Sequence, residues 1–327
     1  MKCKEYQFHS CFAAYIEQFI QEKRSAGFIY ETEVWKLKHF DLFCIEESVG
    51  EPVLSRELVK KWGTLKDGES LGTCSARVSV IRQFALFLIS MGMEAYLPHD
   101  FYKTEKRVVH VLSDAEIRSF FENVDNYVPK INAVSFQRLS IEYKVLFRII
   151  YCCGLRISEA RKLKWEDVDL HKGTLRIMQS KGHKDRLVYI TDDLADVIKN
   201  YKDLLAVRYH LFSGWVFPAR ETDKCLTNVT IEYKFRNFWS LTPYAEGCDK
   251  SPTVHSLRHT FVVKRMNLWM ENGTSLKEML PFLSRYLGHQ SPDETFYYYH
   301  QVAEAFRIIR KNDKTGISVI PEVELYE

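Results

Sequence analysis

Long apolar runs are missing. No stretch of the 327-residue chain approaches the roughly 20 consecutive apolar residues that a membrane helix needs, so no membrane is expected as a partner. Residues 1–10 are polar and charged where a secretory leader carries an apolar run, and a cytoplasmic protein is expected. An excess of one charge is missing too. Lys+Arg number 46 against 43 Asp+Glu, a net +3, and up to Arg107 fifteen basic residues balance fifteen acidic ones. Bulk charge therefore announces no polyanion, and any phosphate contact has to come from local patches. The eight cysteines contain no Cys-x-x-Cys pair and read as buried free thiols in a reducing compartment. No glycine-rich phosphate loop occurs, which excludes the usual nucleotide cofactor site. His255 and His259 are four apart, as in zinc-binding helices, but the chain reads His-Ser-Leu-Arg-His. The glutamate of that metal motif is absent and a cation stands between the supposed ligands, so neither metal nor any other cofactor is expected.

What is present is ample core material: 46% hydrophobic and 14% aromatic residues, in a length that suits two domains. Apolar residues at helical spacing predict helices over residues 5–23, 32–47, 55–62 and 73–91, a small helical domain covering 1–96. Arg77 and Arg82 lie off the apolar stripe of the fourth helix, on what reads as a solvated face open to phosphate. Residues 97–111 break the pattern and read as a linker. Its basic end, with Lys103, Lys106 and Arg107, can lie along a phosphate backbone.

A second domain, 112–327, opens at Ser113, which can cap a helix with Glu116 closing the box and Leu112 stapling to Ile117. An irregular, aromatic-rich stretch follows to about residue 139, then an apolar helix over 141–153 stopped by Gly154. Residues 174–178 and 186–190 alternate like strands and flank a polar turn, which makes a hairpin. Helices are expected at 193–210 and 230–239, and the fold class is mainly α with a small antiparallel sheet. In the last third, Ser291 can cap a helix carrying Tyr297, Tyr298 and Tyr299, which fan out at about 100° intervals. The tail, 313–327, is β-prone, apolar and too short for a core of its own, so it has to dock either on its own domain, as a strand folded back, or on a neighbouring protomer.

Five motifs occur in order: Gly154-Leu155-Arg156-Ile157-Ser158-Glu159, Ser180-Lys181-Gly182, His255-x-x-Arg258-His259-Thr260, Leu287-Gly288-His289 and Tyr298-x-His300. Together they make the chain resemble the tyrosine recombinase (phage integrase) family, which includes the Xer recombinases and many integrases and transposases. The resemblance covers about 112–300, and the helical first domain is similar in size and position to that family's core-binding domain. It implies a C-shaped clamp on double-stranded DNA at a specific recombination site, a homotetramer acting on two sites, and strand cleavage through a covalent 3′-phosphotyrosine link. The catalytic set it implies is Arg156, Lys181, His255, Arg258, His289 and Tyr298. The stretch from Arg258 to His289 is longer than in a minimal Xer-type member.

These residue types suit that chemistry. Two arginines, Arg156 and Arg258, can each give bidentate hydrogen bonds to the non-bridging oxygens of a phosphodiester as charge builds. Glu159 can orient the Arg156 guanidinium, or be a plain surface salt bridge. A phenol near pKa 10 needs help to lose its proton; His255 is the candidate base. Lys181 can protonate the departing 5′-oxygen, with Lys184 as competitor, and His289 is expected to donate a hydrogen bond to a non-bridging oxygen. Tyr298 matches the nucleophile position, Tyr297 is the alternative, and Tyr299 shares a core stripe with Phe296, Ala303 and Phe306. The competing functions are a catalytically silent DNA-binding protein and a relaxing enzyme like the type IB topoisomerases.

Overall fold

The computed structural model describes residues 6–99, 102, 110–178, 185–248, 250–289, 291, 294 and 295. The chain divides into two compact units, Met1–Arg107 and Val108–Glu327. The described residues form eleven α-helices, one short 3-10 turn and one three-stranded antiparallel sheet, so the fold is mainly α with a small β-sheet. Among them no helix is long and apolar enough to cross a membrane.

The first unit holds α1 (Ala13–Ser25), α2 (Glu31–Glu46), α3 (Arg56–Trp62) and α4 (Leu71–Ser90). Phe12, Phe19, Phe40 and Phe84 are fully buried between them, with ring centroids such as Phe19 and Phe84 5.5 Å apart. Ser55 and Ser70 cap α3 and α4 by accepting from the backbone N–H of Leu58 and Thr73. Helix α1 begins at Ala13, later than residue 5 as expected. The buried carboxylate of Asp41 takes the backbone N–H groups of His9 at 3.0 Å and Ser10 at 2.8 Å, which holds that segment out of the helix.

Arg77 corrects the sequence reading. Its side chain is only 9% exposed and is paired with Glu69; Nε and Nη2 donate to the carboxylate at 3.0 and 2.7 Å, and the guanidinium lies 4.6 Å from the centroid of the Trp62 ring. It also bonds the Trp62 and Thr64 carbonyls. On α4 it shares a buried face with Cys74, Val78 and Ile81, so it locks α3 to α4 and is not a solvated cation for phosphate. Arg82 is half-buried and donates to the Pro98 carbonyl at 2.8 Å.

In the second unit come α5 (Asp114–Asp125), α6 (Val134–Cys153), α7 (Ile157–Arg161), β1 (Val168–Asp169), β2 (Thr174–Ile177), β3 (Arg186–Tyr189), α8 (Asp192–Tyr209), α9 (Asn228–Trp239), α10 (Val254–Glu271) and α11 (Leu276–Leu287). The Ser113–Glu116 box that opens α5 forms in both directions. Helix α6 is the core of the unit, burying Val145, Leu146, Phe147, Ile149 and Ile150 against α5, α8 and α10. It starts at Val134, inside the stretch read as irregular. The reason is Arg138, which pairs with Glu142 one turn on and donates to the carbonyls of Pro218 at 3.1 Å and Ala219 at 2.8 Å. A tertiary anchor, invisible in local periodicity, fixes that first turn.

Strands β2 and β3 pair as expected, Thr174 opposite Tyr189 and Ile177 opposite Arg186, and the two-residue β1 adds a strand that the alternation does not announce. Gly154 ends α6 with φ +61°, and a Cβ there would lie 2.4 Å from Cδ1 of Phe261. Only glycine allows both the left-handed turn and this approach of α6 to α10.

Candidate active site

Three helix ends meet to build the site. The backbone leaves α6 at Gly154 and enters α7 with Arg156 as the N-cap residue. Glu159, at the third position of α7, turns back and accepts from the Arg156 backbone N–H at 2.9 Å. The C-terminal end of α11, closed by Gly288 at φ +67°, faces them. Its last carbonyls carry the negative end of the helix dipole and collect guanidinium groups. Arg156 donates to Leu287 O at 3.3 Å and Gly288 O at 3.1 Å, and Arg186 donates to Tyr286 O at 2.6 Å. Arg258 donates to Leu287 O at 2.7 Å and, from its other nitrogen, to Gly154 O at 2.7 Å. Arg258 is thus held between the ends of α6 and α11 and is 1% exposed.

One carboxylate serves this group. Glu159, 4% exposed, bonds Arg156 Nη1 at 2.9 Å and both terminal nitrogens of Arg186 at 3.0 and 2.8 Å. Arg258 Nη1 stands 3.8 Å from it. Burial alone raises its carboxyl, but Arg186, by hydrogen bonds and charge, with the Arg156 N–H and Arg258, holds it below the ordinary carboxylate range. Glu159 is therefore a buried hub and not the plain surface salt bridge that the sequence left open. Three guanidiniums around one carboxylate leave an excess of positive charge, an environment prepared for an anion.

The histidines register that excess. His289 Nε2 is 3.0 Å from Arg258 Nη2, which can only donate, so Nε2 accepts and Nδ1 donates to Thr295 Oγ1 at 2.7 Å. In this arrangement His289 braces Arg258, where the sequence reading had it donating to substrate. Desolvation, then Arg258 and Arg156, lowers its pKa to about 3. His255 keeps an edge open to solvent. Even so, desolvation of its ring, then Arg258 and Arg156, brings it down to about 4. Its ring packs edge-on to His259 at 4.2 Å between centroids, and His259 is buried and depressed further.

A stability consequence follows with a definite sign. Folded pKa values of about 4 and about 3, against an ordinary 6.5, mean that the unfolded chain binds more protons in this window. The histidine contribution is complete above pH 6.5 and is lost as pH falls toward 4. The urea midpoint is expected to drop steadily from about pH 7 to about pH 5, with a shallower slope in His289→Gln. An unchanged midpoint across that window would show that the rings are not held neutral.

The structure thus brings Arg156, Glu159, His255, Arg258 and His289 together from α7, α10 and the end of α11. Lys181, Lys184, Tyr297, Tyr298 and Tyr299 lie outside the described residues, as do Lys103, Lys106, Arg107 and the tail 313–327. Arg77 and Arg82 belong to the first unit. Sequence reasoning missed Arg186. Its signal was there, because in an alternating strand Arg186 shares the inward face with buried Val188, and an inward charge requires a buried partner. Thr295, fully buried beside His289, was missed as well.

Comparison with known proteins agrees with this architecture. A family model described as the phage integrase family matches residues 110–305. The tyrosine recombinase XerC of Chlorobaculum tepidum is 27% identical over 72% of this chain and 71% of its own length. That of Thermodesulfovibrio yellowstonii is 27% identical over 80% and 81%. A crystal structure of the XerH site-specific recombinase bound to palindromic difH substrate, a post-cleavage complex, shares the fold with a TM-score of 0.63 at 18% identity, over 91% of this chain and 83% of that one. The chain belongs to the phage integrase family. It is an enzyme of the tyrosine-type site-specific recombinase class.

Proposed function

We propose that this recombinase cuts and rejoins double-stranded DNA at a specific site through a covalent 3′-phosphotyrosine, with Tyr298 as the nucleophile and two sites held by a homotetramer. The observation that carries the reading is the arginine cluster on Glu159. Arg156 has its guanidinium plane fixed by three hydrogen bonds to Glu159, Leu287 O and Gly288 O and remains 18% exposed, so it can present charge to a phosphate. In the step proposed, the Tyr298 oxygen attacks phosphorus and the bond to the 5′-oxygen breaks. His255 receives the phenolic proton and Lys181 delivers one to the leaving oxygen. His255 is neutral at neutral pH and can accept, and an arriving phosphate offsets the arginine field and raises its basicity toward the ordinary range. The positions of Lys181 and Tyr298 in this scheme rest on the sequence resemblance. Lys103, Lys106 and Arg107 are proposed to contact the phosphate backbone of the DNA.

The bond energy kept in phosphotyrosine makes a nucleotide unnecessary, and the arginines supply the charge that a divalent ion supplies elsewhere. The test is incubation of the full chain with a nicked duplex carrying its recombination site, in EDTA, followed by a denaturing gel. A DNA–protein adduct that persists is expected. A retarded complex in native gels with no adduct would identify a silent binder. Adduct formation restored only by a divalent ion would overturn the metal-free step.

A further inference from the structure

Arg186 carries two of the hydrogen bonds that neutralise Glu159, yet neither the five sequence motifs above nor the proposed chemistry uses it. Its side chain is 7% exposed. It comes from β3 and is tied to α11 through Tyr286 O. The carboxylate accepts from Arg186 on both oxygens, from the Arg156 backbone N–H on Oε2 and from Arg156 Nη1 on Oε1. With Arg186 covering both oxygens, the Arg156 guanidinium meets Glu159 through one nitrogen only.

That division decides what Arg156 has left. A guanidinium has five N–H donors. Arg156 gives Nη1 to Glu159 and Leu287 O, and one Nη2 proton to Gly288 O. Among the described residues nothing takes Nε–H or the second Nη2–H, which lie along one edge of the plane and match the two oxygens of a phosphate. If Arg186 were absent, a buried carboxylate would be left half-neutralised beside Arg156. The closest cation would then rotate to meet both oxygens, because a buried charge without its partner is strongly unfavourable. The edge facing substrate would close. Gly288 shows how tight the arrangement is, since a Cβ there would lie 3.1 Å from Arg186 Nη1 and 3.5 Å from Arg156 Nη1. Both guanidiniums lie close to the same glycine.

We infer that Arg186 is a positioning residue. By occupying both oxygens of Glu159 it keeps one edge of Arg156 aimed at the scissile phosphate. The inference rests on the proposed phosphoryl-transfer site and concerns how that site is kept open.

The test uses the full chain, saturating duplex and a temperature well below each variant's melting point, so that a loss of stability alone leaves the rate untouched. Arg186→Gln is expected to lower the single-turnover cleavage rate about 100-fold while changing DNA affinity less than about threefold. Adding Glu159→Gln removes the charge that captures Arg156, and the double variant is expected to recover about tenfold over Arg186→Gln. Arg186→Lys keeps the charge without the two-pronged contact; it should fold even where the glutamine variant does not and lose about tenfold in rate. A saturated rate within about threefold of wild type in both single variants would overturn the inference, as would purely additive losses in the double variant. An inert wild-type chain would overturn the phosphoryl-transfer reading itself, whereas failure of this inference alone shows only in the variants.

Discussion

Arg258→Lys is expected to lower the single-turnover cleavage rate by about 10²–10³ while leaving site affinity within a few-fold of wild type. The substitution keeps a positive charge, so a site that needs only charge should tolerate it. The geometry says otherwise. Arg258 bridges Gly154 O at the end of α6 and Leu287 O at the end of α11, and gives a third hydrogen bond to His289 Nε2. A lysine ammonium is a point with three donors and cannot span two helix ends while also keeping a planar fork. At least one of these buried carbonyls loses its donor, at about 1–3 kcal/mol of stability. His289 loses the contact that orients its ring, and Thr295, bonded to the other ring nitrogen, loses its reference. The measurement is adduct formation against time at saturating DNA, with a melting curve on the same sample. A lysine variant that cleaves within about threefold of wild type would show that charge, not the fork, is what the site requires.

The same contacts show why part of this site was legible in sequence. Arg156, Arg258 and His289 each belong to a short motif whose neighbours explain their placement. Gly154 makes the left-handed turn that frees a carbonyl for Arg258, and Gly288 does the same at α11. Glu159 follows Arg156 by three and caps it. Local rules of helix ends therefore carry much of the geometry. The rest is nonlocal. Arg186 reaches Glu159 across 27 residues and Tyr286 across 100, so only an inward charge on a strand could hint at it. Arg77 reads as surface because arginine is seldom buried, and only its approach to Glu69 and Trp62 reverses that. Helix α6 reads as shorter than it is because its first turn is secured by carbonyls 80 residues away. Residues 113–116 read correctly because a capping box is complete within four residues.

These helix ends also explain how a nearly neutral chain can hold an anion. The carbonyls of residues 286–288 and Gly154 neutralise the guanidiniums as dipoles, without the full negative charge that further carboxylates would bring. Cations are thereby fixed at low local counter-charge, and the potential they exert adds to the desolvation that first lowers His255 and His289 below their ordinary values.

Tyr298→Phe is expected to remove the covalent adduct altogether, down to the detection limit of the gel, while site binding changes less than about twofold. In the proposed step, loss of that one hydroxyl removes the oxygen that attacks phosphorus. Two neighbours compete for the role. Glu294 and Thr295 are helical, and Thr295 is bonded to His289. The sequence spaces Tyr299 with Phe296, Ala303 and Phe306 as an apolar stripe would be spaced. Of the three phenols, Tyr298 is the one at the nucleophile position of the motif that the sequence resembles. Parallel substitutions of Tyr297 and Tyr299 should leave an adduct, reduced in the second case by lost packing. Peptide mapping of the wild-type adduct supplies an independent reading, with the nucleotide-bearing fragment expected to carry its mass on Tyr298. An adduct that survives Tyr298→Phe and disappears in Tyr297→Phe would move the nucleophile by one residue.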